Sequence, residues 1–210
     1  MGTDIDMYVE KRIGKGNWVQ VYPQVTCSLC VEGPNPSCYW CDGTKIEKGY
    51  YERNYDLFSI LANVRNGTWG EDLVYISEPR GLPVDVNPEV LAKLEGRDSL
   101  SWLGLREILD FDWQKTNRKR CPVDIRSYKE IKQGLAKAPS SYCRSTSGKV
   151  VSEKRADDII KSEVELPYIH VDYTWEEPYE DLCKHFLSRY VPAVELLGIP
   201  TDLRLVFGFC

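Results

Sequence analysis

Cysteines 27, 30, 38 and 41 form two Cys-x-x-Cys pairs within fifteen residues, and no other feature of the chain narrows its folding so much. Each pair projects two sulfurs from one tight turn. Two pairs together set four thiolates tetrahedrally around one Zn²⁺ ion at about 2.3 Å each. Residues 31–37 between them contain Gly33, Pro34 and Pro36, which return the chain quickly, while Gly33 and Gly43 leave room for backbone N–H groups near the sulfurs. A four-thiolate set has no open coordination position for water or substrate, so the expected metal is a structural zinc. Two disulfides, or an exposed redox pair, are the alternatives left open.

The remaining composition says what this metal is needed for. With 210 residues, 42% hydrophobic and 28% charged, the chain is expected to fold as a soluble protein whose core does not rely on metal for mass. The zinc is therefore expected to pin a knuckle over residues 26–48, inserted into a single α+β domain spanning 1–210. Residues 1–12 carry Asp4, Asp6 and Glu10 and lack a basic start followed by an apolar run, so no secretory leader is expected. No apolar stretch approaches the length of a membrane span. Met1-Gly2 lacks the Ser or Thr that myristoylation wants at position six. A reducing cytoplasm, bacterial or of an infected host, is the expected setting, with Cys121, Cys143, Cys183 and Cys210 as free thiols. A net charge of −5 argues against general nucleic-acid binding. The densest basic run, Lys115, Arg118, Lys119 and Arg120, has no interleaved aromatic and reads as a solvated loop.

Periodicity supplies the architecture. Residues 4–12 alternate, with Ile5, Met7 and Val9 on one side and Asp4, Asp6, Tyr8 and Glu10 on the other, predicting a strand with one buried face. Residues 14–17 form a turn, and 18–22 return as a hairpin. Asn54 caps a helix over 55–64 that Asn66-Gly67 ends. A short strand is expected at 73–76, and Pro79 and Pro83 bracketing Gly81 forbid regular structure there. Asn87 caps a helix through about residue 95 with Pro88 at its first position. Ser99 or Ser101 is expected to start another, carrying Leu103, Leu105, Ile108, Leu109 and Phe111, and residues 127–137 read as helix. Residues 139–161, rich in Ser, Lys, Arg and Asp, read as a mobile connection. A strand over 167–175 follows, then a helix kinked at Pro192 and stopped by Gly198, then a last strand with Leu203, Leu205, Phe207 and Phe209 in alternation. This order predicts an α+β fold, one largely antiparallel sheet covered by helices.

Several short segments, in order along nearly the whole chain, carry a resemblance. They are Gly2-Thr3-Asp4-Ile5 leading to Tyr8-Val9-Glu10, Arg53-Asn54-Tyr55-Asp56-Leu57-Phe58, Pro79-Arg80-Gly81-Leu82-Pro83, Ser101-Trp102-Leu103 leading to Phe111-Asp112-Trp113, and Leu203-Arg204-Leu205-Val206-Phe207. In these the chain resembles a family shared by bacteriophage and bacterial genomes for which no activity is established. The resemblance implies a viral or bacterial setting and no mechanism. It also carries a departure: the family pattern has His where Asp6 stands, and another just before Ser-x-Ser-Trp, where this chain has Arg97 or Asp98.

Three constellations have chemistry to offer. His170 shares a strand face with Tyr168 and Asp172, where an imidazole beside a carboxylate can move protons near neutral pH; a partly exposed strand surface is the plainer reading. His185 and Cys183, two apart on a helix, do not face each other, and His185 reads as helix surface. Asp4 and Asp6 project from one strand face roughly 7 Å apart, a spacing that with a third acid suits Mg²⁺ or acid–base division. The third is an anion pocket. Arg53 with Asn54, Arg65 with Asn66, and Arg80 with Gly81 stand at helix ends and in the proline-bracketed loop, joined by Ser99 and Ser101 and lined by Tyr55 and Trp102. From these the expected function is a zinc-stabilised accessory binding protein that captures a host protein or an anionic ligand bearing phosphate or carboxylate, in the manner of proteins that counter host defence. The alternative is a hydrolase or transferase acting on a nucleotide or nucleic acid through Asp4, Asp6, His170 and Asp172. The knuckle is disfavoured as a phosphate reader, because its arm offers Glu32, Tyr39 and Trp40 and no Lys or Arg between Cys27 and Cys41.

Overall fold

The structure, a computed structural model, describes residues 3–14, 16–30, 33, 35–38, 41, 43–47, 49–50, 52–67, 72–140, 142, 146, 148–162, 166 and 168–210. In chain order the elements begin β1 (Ile5–Ile13), β2 (Asn17–Val21), α1 (Tyr55–Ala62), α2 (Pro88–Lys93), β3 (Asp98–Gly104), α3 (Leu105–Asp110) and β4 (Thr116–Asp124). They continue α4 (Ile125–Lys132), β5 (Lys149–Ser152), α5 (Glu153–Lys161), β6 (Ile169–Pro178) and α6 (Tyr179–Leu182). A π-helical stretch (Phe186–Tyr190) then runs into α7 (Val191–Glu195), and β7 (Leu203–Phe209) closes the chain. The class is α+β with largely antiparallel sheets, as the alternation predicts. The strands divide between two sheets, however, and the chain between two compact units. One comprises Met1–Asn66, Leu73–Trp113 and Leu182–Cys210, the other Gly67–Asp72 and Gln114–Asp181.

In the first unit the sheet order is β2-β1-β7-β3, antiparallel throughout. β7 is buried along its whole length because it lies between β1 and β3 and both its faces are covered. One face carries Ile5, Met7 and Val9 with Leu205, Phe207 and Phe209, and the Phe58 ring of α1 meets Phe209 edge-on at 5.2 Å. The other face was expected to meet solvent, and the structure corrects this. Tyr8 and Val206 cluster there with Val90 of α2 and Leu94 just after it, and Glu10 is fully buried. α2 and the loop before it cover the polar side of β1, so its charged residues are paired rather than solvated.

Local signals explain most elements. The Asn54 side chain accepts from Leu57 N at 3.0 Å, and α1 ends at Asn63, which adopts the left-handed conformation three residues before the expected stop. Asn87 caps α2 ahead of Pro88. Residues 73–76 are not a strand: Ile76 N donates to Ile60 O, and the Asn66 amide clamps both backbone groups of Leu73. Ser99 and Ser101 start no helix. They belong to β3, whose hydrogen bonds to β7 outweigh the capping tendency of serine, and α3 starts just after Gly104, whose N–H donates to the Glu107 carboxylate. At Pro192 the expected kink takes the form of the π-helical stretch just before it, a widened turn that accommodates a residue with no N–H to give.

The second unit holds a sheet of order β4-β6-β5, with β4 antiparallel and β5 parallel to β6. Its core gathers Cys121, Val123, Ile125, Tyr128, Val151, Ala156, Val171 and Trp175. The basic run at 115–120 is therefore no solvated loop. Arg118 and Arg120 point out while Asn117 and Lys119 point in, and two polar residues at buried positions hid the alternation. Residues 149–161 of the supposed mobile connection are β5 and α5, since Ser152 caps the helix and Ala156, Ile159 and Ile160 give it an apolar face. Met1, Gly2, Lys15, Glu32, Pro34, Tyr39, Trp40, Cys143 and Pro167, on which parts of the sequence reading fell, lie outside the described residues.

Candidate metal centre

The chain folds into the knuckle because its backbone amides close short turns around each cysteine pair. Cys30 N donates to Cys27 O at 3.2 Å, Cys41 N to Cys38 O at 3.3 Å, and Thr44 N to Cys41 O at 2.9 Å. A bridge between Thr26 and Ile46 shuts the neck, helped by Cys27 N donating to Lys45 O at 2.7 Å. Gly43 is required where it stands. Its φ is +76°, and a Cβ there would sit 3.1 Å from Pro36 Cα.

These turns bring the four sulfurs within 4.8 Å of one another, all buried. Cys27 Sγ lies 3.7 Å from Cys38 Sγ, and Cys30 Sγ lies 3.6 Å from Cys41 Sγ. A regular tetrahedron with 2.3 Å metal–sulfur bonds has edges of about 3.8 Å, so the cage has the size of a tetrathiolate site. Disulfides need sulfurs near 2.05 Å apart, and these four are free thiols. Burial pushes the Cys27 thiol up to about 12. Four cysteines so placed can hold a metal ion such as zinc.

The knuckle is tied to the π-helical stretch by an arginine that the sequence reading missed. Arg189 donates to Thr26 O, lies 4.0 Å from Glu47, and places its Nη1 2.5 Å from His185 Nε2. His185 is thus not a bare helix surface: its Nδ1 faces Glu52 Oε2 at 2.7 Å, and Tyr50 donates to the same oxygen at 2.8 Å. Because arginine only donates, Nε2 is the acceptor in that contact.

The arginines expected to line an anion pocket have partners within the protein. Arg53 grips Asp4 through two hydrogen bonds of 2.6 and 2.7 Å, which holds the Asp4 carboxyl below its usual range. Arg65 donates to Thr3 Oγ1 at 2.8 Å, and the Tyr55 hydroxyl accepts from Thr3 N. Arg80 grips Glu107 at 2.9 and 2.6 Å, lies over the Trp102 ring, and donates its backbone N–H to Ser101. Ser99 is exposed, in a left-handed conformation at the β3 bulge. Two of the three forks expected to face an anion, Arg53 and Arg80, are taken by carboxylates of the protein, and Asn54 serves as a helix cap.

The acid and histidine candidates are likewise engaged. Asp6 pairs with Arg97, which crosses over Gly208 to reach it. Asp172 pairs with Arg120 at 2.6 and 3.0 Å, which lowers its pKa. His170, expected to be partly exposed beside Asp172, is buried, with its Nδ1 3.2 Å from Thr146 Oγ1 and its ring edge-on to Tyr168. Asp4 and Asp6 belong to the first unit, His170 and Asp172 to the second.

One further cluster went unread in the sequence. Arg204, 4% exposed at its side chain, donates to buried Glu10 at 2.6 Å and to Asp85 at 2.7 Å, and stacks 3.9 Å over Trp18. The signal for it was a lone arginine inside an otherwise apolar strand, facing a lone glutamate. No helix among the described residues is long and apolar enough to cross a membrane. No family model, curated protein or solved structure matches the chain.

Proposed function

We propose that the chain is a non-catalytic binding protein, its knuckle stapled by one structural zinc ion, that captures a protein partner. The observation that carries this is the cysteine cluster: four buried sulfurs lie within 4.8 Å of one another, and four thiolates around one metal leave no position for a substrate. The carboxylates proposed for catalysis support it, since Asp4, Asp6 and Asp172 each hold an arginine. The bidentate use of Arg53 and Arg80 by Asp4 and Glu107 weighs against an anionic ligand and for a macromolecular one. The resemblance to bacteriophage and bacterial proteins puts a host protein first among partners.

Native mass spectrometry of protein purified from cells without chelators tests the reading. One zinc per chain and a stoichiometric protein partner are expected, with no turnover of nucleotides or nucleic acids by the loaded protein. Metal-free folded protein, or hydrolysis that Asp4→Asn abolishes, contradicts it.

A further inference from the structure

α2 presents an apolar cavity of about 460 Å³ on the first unit, lined chiefly by Leu82, Pro88, Leu91, Leu94, Leu100 and Glu95. That volume falls in the range of sites that enclose a ligand side chain or small molecule. Leu91 is 47% exposed, so apolar surface reaches solvent there. The single charged group on the wall is Glu95, and the cations nearest it in sequence are turned elsewhere. Lys93 donates to Gln20 Oε1 at 2.8 Å and lies over the Tyr8 and Tyr22 rings, while Arg97 holds Asp6. Among the described residues no cation pairs with Glu95. An apolar slot with one unneutralised carboxylate at its wall is complementary to an apolar body that carries a positive charge beside it.

We infer that this groove is the docking site for a peptide segment of the captured partner that presents a bulky aliphatic or aromatic side chain next to a lysine or arginine. The inference deepens the protein-capture reading and rests on it. The leucines take the side chain and exclude water around it, and Glu95 selects the sign of the neighbouring charge. The carboxylate adds little affinity at an exposed rim but discriminates against acidic segments by like-charge repulsion.

The test is an NMR titration of the full, metal-loaded chain with acetyl-Ala-Leu-Lys-Ala-amide, acetyl-Ala-Leu-Glu-Ala-amide and acetyl-Ala-Ala-Lys-Ala-amide. The first peptide is expected to shift the amides of residues 82, 91, 96 and 100 saturably. The glutamate peptide is expected to bind about threefold more weakly, the worth of one exposed ion pair. The peptide without leucine is expected to lose about tenfold, the worth of a buried aliphatic side chain. Glu95→Gln, conservative and exposed, should erase the preference for lysine, and Leu91→Asp should abolish the saturable shifts in a chain whose remaining spectrum is unchanged. Shifts that do not saturate, equal binding of the lysine and glutamate peptides, or concentration-dependent self-association that Leu91→Asp removes would each overturn the assignment. If the peptides fail while native mass spectrometry still finds a zinc-loaded chain with a protein partner, only the groove assignment is lost and the capture reading stands.

Discussion

Arg204 and Glu10 face each other directly across β7 and β1, and neither charge meets bulk water. Glu10 also accepts from Asn87 N at 2.7 Å, so the pair fixes the entry to α2 as well as the sheet. Removing one partner leaves an uncompensated buried charge. Arg204→Met is therefore expected to destabilise the chain by about 3–5 kcal/mol, read from the urea midpoint, while Glu10→Leu with Arg204→Met together recovers much of the loss. Equal or greater loss in the double variant would show that the pair contributes more than mutual neutralisation. Gly208 is a second position where one atom decides. A Cβ there would stand 2.7 Å from Arg97 Cβ and 2.8 Å from a Leu100 methyl, because Arg97 passes over it to reach Asp6. Gly208→Ala should cost about 1–3 kcal/mol by overpacking, and should cost less in a Leu100→Ala background, which lacks the crowding methyl. Neither role was legible in the sequence. The thiol quartet was, since its spacing alone demands a cage, whereas Arg204, Gly208 and Arg189 acquire their meaning only from strands and turns distant in the chain.

Elements with strong local signals formed where their residues placed them: α1 behind Asn54, α2 behind Asn87-Pro88, and β7 on its alternation. β3 and β4 were hidden, because strand formation there is driven by pairing with β7 and β6 while the residues themselves are serines, arginines and a buried lysine. The loop at 79–83 is held to α3 by Arg80 and Glu107, and the loop at 84–87 to β7 by Asp85 and Arg204. Hydrogen bonds from these arginines hold both carboxyls below their usual range. Their folded pKa values lie below the unfolded ones, so the unfolded chain takes up protons first as acid is added. The stabilisation is complete above about pH 4–5 and is lost as pH falls through the folded values. Urea midpoints measured from pH 7 to pH 2 should be flat and then drop below about pH 4, and Glu107→Gln should make that drop shallower. A profile that Glu107→Gln leaves unchanged would contradict the linkage.

The chain as a whole builds two compact units, each with its own sheet, and residues 114–181 carry few long apolar runs to mark the division in the sequence. Along β4 the apolar positions are interleaved with charge, which reads as a solvated basic loop, and the Ser, Lys, Arg and Asp of 139–161 read as an exposed connection where β5 and α5 form. The knuckle is a third, separable source of order: its four sulfurs form a cluster of their own, and its turns are closed by its own backbone. Its stability should then depend on metal while the sheets do not. Chelation is expected to release the amides of residues 27, 30, 38, 41 and 44 to fast hydrogen exchange while those of β1 and β7 stay protected. Global unfolding on chelation would contradict that separation. X-ray absorption at the zinc edge on protein purified from cells decides whether the quartet is a structural metal site. One zinc per chain is expected, with four sulfur neighbours at about 2.3 Å and no oxygen or nitrogen bound to it. A zinc-free chain, a shell containing light atoms, or sulfurs joined in pairs would contradict it.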